Sequence, residues 1–445
     1  MSRVRDAKPA VACALLLLSA AASAAPPTRD DAVAARRERR TALAARLGTG
    51  YALVLGQPLT DVLQPPQEGH LLYLAGVDDP GAVLVLAGAD APPLVLRRGT
   101  AAVEAREALF LLEAGDAFAQ FVGLSWRPGA DAERALGIEA TRPAPGSGEA
   151  LGAELASVLP EGACLHVPAY AGRDLAGVRE VRDDAVRKLR AMRPDMTFPD
   201  LHPALMLMRS TKEPREVEAM RRAAEATIGA FRDALAEIRP GSSEAAVDGA
   251  LLAGVRRRGA MPAYRFVVGS GPRSTIPHWF RNDGPLAAGD LLVIDAGGSV
   301  DRYATDITRT FPVSGRFSPR QREVYDAVLA AQLAGIAAVK PGATLQQVDA
   351  AARGVLKKAG LDRYFLHGTC HHVGLDVHDP GPPLLAAGMT ITVEPGVYIR
   401  EEALGIRIED VVLVTEDGAD VLSRNLPKDP GEIERLLGEP GLSGR

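Results

Sequence analysis

Four acidic residues in the C-terminal half lie in segments that otherwise have the apolar character of buried strands. Asp295 lies in LLVIDAGG, Asp306 in YATDITRT, Glu394 in ITVEPGVYI and Glu409 in GIRIEDVVLV. An ionised carboxylate is almost never buried without a partner. A single acid of this kind is equally compatible with a half-exposed strand, but four together predict a shared cation. One or two divalent metal ions would neutralise the set.

The spacing of these acids suits two neighbouring hairpins. Asp295 and Asp306 are separated by a Gly- and Asp-containing stretch that favours a turn, so their strands can return side by side. Glu394 and Glu409 flank a second turn, REEALG. Arg407 lies two positions before Glu409 and shares its strand face. We expect both hairpins to direct their carboxylates into one cavity.

Histidines provide the matching nitrogen ligands. The stretch HGTCHHVGLDVHD, residues 367–379, contains four of the chain's eight histidines. Four carboxylates with one imidazole suit a hard or borderline divalent ion such as manganese, iron, cobalt or zinc. Two such ions ~3.5 Å apart can hold and activate a water. The residues alone do not choose between the adjacent His371 and His372 as the ligand.

The elements that must position these residues divide into an N-terminal α/β part and a strand-rich C-terminal part. An amphipathic helix, DDAVAARRERRTALAARL, is followed by the apolar runs YALVLG, LLYLAGV and GAVLVLAG, each of which predicts a buried strand. Later, Ser210 or Thr211 can cap a long amphipathic helix that ends at Pro240-Gly241. Strands with inserted helices follow. We predict two domains, 30–205 and 210–435.

The first 24 residues predict a cleaved secretory signal peptide. Basic residues precede the apolar run AVACALLLLSAAASA, which ends in an A-x-A pattern at residues 22–24. The run is shorter than the ~20 residues that a spanning helix needs. We therefore expect a secreted or periplasmic protein with no stable membrane insertion after cleavage, whose mature chain begins near Ala25.

Composition argues against several functions. The formal net charge of −5, with 47% hydrophobic and 24% charged residues, is an ordinary globular balance. It gives no reason to expect nucleic acid or an anionic membrane as a partner. Cys164 and Cys370 are too few for a disulfide framework, and no C-x-x-C pair indicates a cysteine zinc site. We expect both to be small buried apolar residues.

The C-terminal motifs resemble those of a known family. DAGG…DITRTFPVSG, HHVGLDVHD, TVEPGVYI and GIRIEDVVLVT are similar to motifs of the pita-bread metallopeptidases, the creatinase, aminopeptidase P and prolidase family, and most similar to aminopeptidase P. The resemblance covers about residues 209–422. LLYLAGVDDPGAVLVL resembles the family's N-terminal domain more weakly. The resemblance implies an α+β protein, with a C-terminal pita-bread catalytic domain preceded by a smaller α/β creatinase-like domain.

The resemblance also implies five metal ligands, which are Asp295, Asp306, His371, Glu394 and Glu409. Asp306 and Glu409 would bridge two divalent ions. Asp295 would complete the shell of one ion, and His371 and Glu394 that of the other. Manganese is the expected metal, with cobalt, zinc and iron as alternatives. Glu394 is also the expected general base.

Other residues near the implied metals receive supporting roles. His278 and His378 match histidines of the family's substrate site and would stabilise the developing oxyanion. Arg407 would orient the metal-bound carboxylates. His367 and His372 match no ligand, and a packing or supporting role is expected for both.

The implied function is that of an exported aminopeptidase that cuts the N-terminal Xaa-Pro bond of peptides with a metal-bridging hydroxide. A homo-oligomer is expected. The alternatives are an Xaa-Pro dipeptidase, a methionine aminopeptidase and a non-catalytic binding protein or metal-free hydrolase, the last two disfavoured because all five ligands are present. A dipeptidase needs a cationic partner for its substrate's carboxylate. Residues 379–393 contain three prolines and no Lys or Arg, which favours the aminopeptidase.

Overall fold

The structure is a computed structural model that describes residues 29–58, 69–98, 101–113, 115, 120–121, 123–169 and 176–438. The predicted signal peptide, residues 1–24, lies outside the described residues. Within the described ranges, no helix combines the length and the apolar character that crossing a bilayer requires.

The N-terminal part is built around a mixed five-stranded sheet. The helices of this part are α1 Arg29–Leu47, α2 Gly69–Ala75, α3 Ala130–Leu136, α4 Gly148–Val158, α5 Ala176–Met192 and α6 His202–Ser210. The strands are β1 Tyr51–Leu55, β2 Val83–Ala87, β3 Leu94–Arg98, β4 Ala101–Ala105, β5 Glu107–Leu111, β6 Ala140–Pro143 and β7 Leu165–His166. The sheet order is β6-β5-β2-β1-β7, and β3 pairs with β4 as a separate hairpin.

The central strands of this sheet are buried on both faces because helices cover each side. Tyr51 and Leu53 of β1 belong to a hydrophobic cluster that includes side chains of α4 and α5. Ala52 and Val54, which point to the opposite face, pack with side chains of α1 and α2. Two-sided burial explains why these strands are continuous apolar runs instead of alternating ones.

The prediction of a strand at LLYLAGV is wrong, because these residues form most of α2. Leu71, Leu74 and Ala75 are buried at helical spacing in the cluster shared with α1. A short apolar run does not by itself distinguish a buried strand from a buried helix. The run was therefore assigned as a strand, although its buried residues have the spacing of a helix.

The C-terminal part contains five helices and eleven strands among the described residues. The helices are α7 Pro214–Ala234, α8 Glu244–Arg257, α9 Pro319–Ala338, α10 Leu345–Lys358 and α11 Pro430–Leu437. The strands are β8 Met261–Pro262, β9 Val267–Ser270, β10 Leu291–Ala296, β11 Gly298–Val300, β12 Tyr303–Ala304, β13 Ile307–Pro312, β14 Thr390–Val393, β15 Gly396–Ile399, β16 Leu404–Arg407, β17 Asp410–Val414 and β18 Ala419–Val421. They form the small antiparallel sheets β13-β10-β9, β12-β11-β8, β14-β17-β18 and β15-β16.

Helix α7 begins after Glu213, so the predicted caps Ser210 and Thr211 are wrong. Pro214 occupies the first helical position, where a missing N–H has no helical partner to lose. The Glu216 carboxylate accepts a hydrogen bond from the Glu213 N–H at 2.7 Å, as in a capping box. Ser210 instead ends the preceding helix, α6.

Both predicted acidic hairpins are present, and they lie against each other. Strand β10 pairs antiparallel with β13, with Asp295 opposite Thr308, and Asp306 immediately precedes β13. Strand β15 pairs antiparallel with β16, so Glu394 lies just before this hairpin and Glu409 just after it. The Glu409 N–H donates to the Thr308 carbonyl at 3.1 Å, which joins the two hairpins beside their acids.

The limits of the two predicted domains, 30–205 and 210–435, stay a prediction. Two of the hydrophobic clusters draw their buried residues from the chain up to Leu205. The remaining clusters draw theirs from Ala219 onward. Leu375 of the C-terminal part packs against the N-terminal core, so the two parts are in contact close to the histidine-rich stretch.

Candidate metal centre

The histidine-rich stretch is held alongside strand β14 by backbone hydrogen bonds. The Thr392 N–H donates to the His371 carbonyl at 2.9 Å, and the Glu394 N–H donates to the Thr369 carbonyl at 2.8 Å. This pairing places His371 beside the start of the second hairpin. As a result, His371 Nε2 lies 3.4 Å from Glu394 Oε1.

His372 points away from the acids, because successive side chains of an extended segment project to opposite sides. Its Nε2 lies 2.9 Å from the Pro382 carbonyl oxygen. The side chain is buried, and its Nδ1 has no hydrogen-bond partner among the described residues. The geometry thus favours His371 over His372 as the nitrogen ligand.

All five residues implied as ligands belong to one connected cluster. Ligand atoms of Asp306, His371 and Glu409 all lie within 4.8 Å of one another. Glu394 joins this group through His371. Asp295 joins it through Tyr264, whose hydroxyl is 2.5 Å from Asp295 Oδ1 and also contacts Asp306. The acids of the first hairpin and the acids of the second hairpin therefore lie in the same cluster.

The charges of this cluster are not balanced by the protein alone. Burial, followed by the negative charge of Asp295, raises the pKa of Asp306 well above its ordinary value. Burial, followed by the charges of Asp306 and Glu394, does the same to the pKa of Glu409. Burial raises the pKa of Glu394 to about 8. Four carboxylates in close contact would repel one another, and a bound cation would relieve both the repulsion and the desolvation.

The imidazole of the cluster is in the form that binds metal. Burial, followed by the proximity of His378, lowers the pKa of His371 to about 4, so the ring is neutral near pH 7. Its Nδ1 lies 3.0 Å from the His372 carbonyl oxygen, which leaves Nε2 facing Asp306 and Glu394. A neutral imidazole oriented through its other nitrogen is the usual state of a ligand histidine. The donor set and its excess negative charge fit divalent cations.

Arg407 is the cation that the structure places at the edge of this cluster. Its Nη2 donates to Asp295 Oδ2 at 2.6 Å, and its Nε donates to Thr308 Oγ1 at 3.1 Å. Thr308 in turn donates to Glu409 Oε2 at 2.6 Å. Arg407 is buried, so it holds one carboxylate from each hairpin, directly or through Thr308.

A hydrogen-bonded line of side chains that was not identified from the sequence runs along one wall of the cluster. Tyr398 accepts from Arg407 Nη1 at 2.9 Å and lies 2.8 Å from His367 Nε2. His367 Nδ1 is 3.8 Å from Glu394 Oε2, so the supporting role expected of His367 is compatible with its position. Nothing in the sequence distinguishes Tyr398 or Tyr264 from an ordinary tyrosine.

His278 and His378 lie on the solvent side of the cluster. The rings of His371 and His378 have centroids 4.2 Å apart in an edge-on arrangement. Partial burial of the ring and the proximity of His278 lower the pKa of His378, although much of its side chain is exposed. His278 is exposed and stacks on Phe280, with centroids 5.6 Å apart. Both histidines can therefore meet a bound molecule without displacing a ligand.

The cysteines take no part in the cluster. Cys164 and Cys370 are free and half-buried, which is less burial than expected, and Cys370 packs against a hydrophobic cluster. Burial raises the pKa of Cys370 to about 12, which keeps the thiol protonated and unreactive.

Comparison with known proteins finds similarity along most of the chain. Residues 218–416 match the model of metallopeptidase family M24, a range that contains every predicted site residue. The chain is 33% identical over 444 residues to the Xaa-Pro aminopeptidase of Haemophilus influenzae, covering 90% of this chain and 96% of that protein. It is 39% identical over 311 residues to Xaa-Pro aminopeptidase 2 of Streptomyces coelicolor, covering 60% of this chain and 66% of the relative.

A solved structure is similar over nearly the whole chain. A single-residue variant of Escherichia coli aminopeptidase P superposes with a TM-score of 0.79 at 29% identity, covering 93% of this chain and 99% of that one.

An Xaa-Pro dipeptidase of Pyrococcus furiosus is 39% identical over 224 residues, which cover 49% of this chain and 64% of that protein.

Proposed function

Because this chain belongs to metallopeptidase family M24 and is a metal-dependent hydrolase, we propose that it is an aminopeptidase that removes the N-terminal residue from peptides with proline at the second position. The observation that carries the proposal is the convergence of the acids on both hairpins with His371 in one buried cluster. Relatives named Xaa-Pro aminopeptidase support the choice of substrate.

The cofactor that fits the cluster is a pair of divalent ions, for which manganese is our proposal. The ions would be held by the five residues of the cluster, Asp295, Asp306, His371, Glu394 and Glu409. When bound, they supply Lewis acidity, which makes water more acidic and polarises a carbonyl group. Oxygen-rich donor sets with one imidazole accept manganese, iron, cobalt or zinc.

Glu394 is the residue best placed to move a proton in this reaction. Its Oε1 lies 3.3 Å from Thr392 Oγ1, and its other oxygen faces His367. A carboxylate at this position can accept a proton from water and later release it to the departing amine nitrogen. Thr392 and His367 would keep the carboxylate oriented between those two steps.

His378 and His278 would bind the substrate and the charge that develops on its carbonyl oxygen. Both are exposed; His378 lies against the His371 ring and His278 lies close to His378, and neither is needed to complete the acidic cluster. An imidazole N–H that points at the developing oxyanion stabilises it more than it stabilises the neutral carbonyl. Arg407 would act indirectly, by holding the Asp295 carboxylate in its orientation.

The same residues would serve an Xaa-Pro dipeptidase, which is the second candidate function. The similarity to the Pyrococcus furiosus dipeptidase supports it. Against it, the segment 379–393 offers no Lys or Arg to bind a carboxylate directly beyond the proline. Arg281, three residues after His278, is paired with Asp283 at 2.7 Å. We therefore propose the aminopeptidase.

Export and self-association form part of the proposal. The predicted signal peptide supports a secreted or periplasmic location for the mature enzyme. The resemblance to aminopeptidase P supports a homo-oligomer. Neither property alters the chemistry at the cluster.

The test of the proposed function is a substrate panel assayed with added manganese. Xaa-Pro-Yaa tripeptides, the matching Xaa-Pro dipeptides, Xaa-Ala-Yaa tripeptides and N-acetylated Xaa-Pro-Yaa would be compared by kcat/KM. We expect the free Xaa-Pro-Yaa tripeptides to be cut best, with release of Xaa, and the acetylated peptides to be resistant. Cleavage of dipeptides alone would assign the chain as a dipeptidase, and equal cleavage of Xaa-Ala-Yaa would remove the proline specificity.

A further inference from the structure

Three arginines lie on the segment 263–283, which includes the exposed His278, and they differ in their partners. Arg273 pairs with a buried glutamate at 2.5 Å, and Arg281 pairs with a nearby aspartate at 2.7 Å. Arg265 forms no ion pair with any residue that the structure describes. Its Nη2 donates only to the Phe280 carbonyl, at 2.9 Å. Arg265 therefore retains N–H groups that can bind an anion.

Arg265 belongs to a stacked set of side chains that includes His278. The Phe280 ring lies nearly parallel to the His278 ring, with centroids 5.6 Å apart and 13° between their planes. The Arg265 guanidinium lies over the Phe280 ring, 5.8 Å from its centroid. All three side chains are exposed. The Arg265 guanidinium, which can bind an anion, is thus connected to the His278 ring through the Phe280 ring.

Asp248 senses the charge of Arg265, but these two described residues form no ion pair. Burial raises the pKa of Asp248, and the Asn282 hydrogen bond and the charge of Arg265 oppose that rise. An exposed guanidinium has five N–H donors in a planar fork that matches a carboxylate. The geometry around Arg265 is therefore suited to a carboxylate that arrives from solvent.

A peptide cut by an aminopeptidase has only one residue on the amine side of the cleaved bond. The rest of the chain must leave toward solvent, past the exposed histidines and not through the buried acids. The contacts of 5.6 Å and 5.8 Å place the Arg265 guanidinium no more than about three residues of extended chain from His278, because extended chain spans ~3.3 to 3.6 Å per residue. The C-terminal carboxylate of a tripeptide or tetrapeptide can reach that distance, whereas that of a dipeptide cannot.

We propose that Arg265 binds the C-terminal carboxylate of short substrates, so that tri- and tetrapeptides with a free C-terminus are the preferred substrate class. This inference rests on the proposed aminopeptidase function and deepens it. The Phe280 ring and carbonyl hold the guanidinium in place, and the carboxylate completes its hydrogen bonds. Longer or amidated peptides would bind without this contact.

The experiment compares Xaa-Pro-Yaa with its C-terminal amide in the full-length, manganese-loaded enzyme. We expect wild type to cut the free acid with a KM about three- to tenfold lower than that of the amide, as for an exposed charge-assisted hydrogen bond. Arg265→Met should remove this preference, and Arg265→Lys should retain part of it. Arg281→Met is the matched control, because its guanidinium is already paired, and it should keep the wild-type ratio.

The outcomes separate this inference from the proposed function. Cleavage of acid and amide with equal KM by wild type overturns the role of Arg265 while leaving the aminopeptidase intact. A preference for the acid that persists in Arg265→Met overturns that role equally. Failure to cut any Xaa-Pro peptide overturns the proposed function, and the role of Arg265 with it.

Discussion

At the scale of single residues, the direction of each side chain decides which histidine can bind metal. His371 and His372 are neighbours of the same type, yet one faces the acids and the other lies against the Pro382 carbonyl. This difference arises from the pairing of their backbone with strand β14. We therefore expect His371, and not His372, to contribute to metal affinity.

The first prediction concerns these two histidines. His371→Ala removes the nitrogen donor that faces both Asp306 and Glu394, so it should lower metal affinity by at least about tenfold, the scale of effects seen for residues around metal sites. His372→Ala should keep the wild-type metal content. The measurement is a manganese titration by calorimetry on metal-depleted protein. Loss of binding in His372→Ala with retention in His371→Ala would reverse the assignment.

The sequence identified the acids of the cluster but not all of the side chains that support them. Asp306 and Glu409 can be identified from the sequence because each is a carboxylate within an otherwise apolar run. Tyr264 and Tyr398 do not stand out, because a buried tyrosine in a strand-rich segment is ordinary. Their function depends on which carboxylate lies opposite the hydroxyl, and that is a property of the folded chain.

At the scale of elements, a buried charge cluster fixes the loop that carries His378. Asp379 accepts from Arg209 of helix α6 and lies 3.2 Å from Lys212 Nζ, and all three side chains are almost fully buried. Arg209 also lies 3.1 Å from His70 Nδ1, in helix α2. Arg209 also contacts Asp376 at 2.6 Å, so helix α6 binds residues on either side of His378. Helical and strand periodicity give no information about such long-range pairing, so it was not predicted.

The second prediction tests this charge cluster. Asp379→Asn would leave Lys212 buried without its carboxylate and Arg209 with only the half-exposed Asp376, and it should lower the free energy of unfolding by about 3 kcal/mol. Asp376→Asn is the matched control, since Asp376 contacts the same arginine at 2.6 Å but its side chain is 45% exposed. Its loss should cost under about 1 kcal/mol. Urea unfolding of the three proteins measures both values, and equal losses in the two variants would contradict this role of Asp379.

The pH dependence of this stabilisation has a defined sign. Burial by itself would raise the pKa of Asp379, but Arg209 and Lys212 lower it below its ordinary value. A carboxylate with a depressed pKa in the folded state stabilises the protein above its unfolded-state pKa, and the stabilisation is lost as the pH falls through the folded-state value. The stability difference between wild type and Asp379→Asn should therefore be constant near pH 7 and shrink in acid. A difference that grows in acid would contradict it.

At the scale of the whole molecule, the predicted fold class is confirmed. The likeness to aminopeptidase P covers 93% of this chain and supports a pita-bread catalytic domain after a smaller α/β domain. Strand periodicity, turn residues and the long amphipathic helices were sufficient for most elements of the C-terminal part. Segment LLYLAGV was not assigned correctly, because the contacts that make it a helix come from α1, a separate element.

The third prediction concerns the destination of the chain. Residues 1–24 have the pattern of a cleaved signal, so native protein should begin near Ala25 and be recovered outside the cytoplasm. N-terminal sequencing of protein purified from the native source, together with cell fractionation, measures both. A native N-terminus at Met1 or Ser2 would contradict export. The assignment of the metal cluster would stand in either case.

We propose a strict metal requirement, in which two divalent ions held by Asp295, Asp306, His371, Glu394 and Glu409 are needed for cleavage of Xaa-Pro bonds. Its most direct test is to deplete the full-length protein of metal with a chelator, measure the remaining metal by elemental analysis, and assay an Xaa-Pro-Yaa peptide while manganese is added back. We expect no turnover in the depleted protein and recovery that saturates near two ions per chain. Full turnover by protein that elemental analysis shows to be free of metal would contradict the claim.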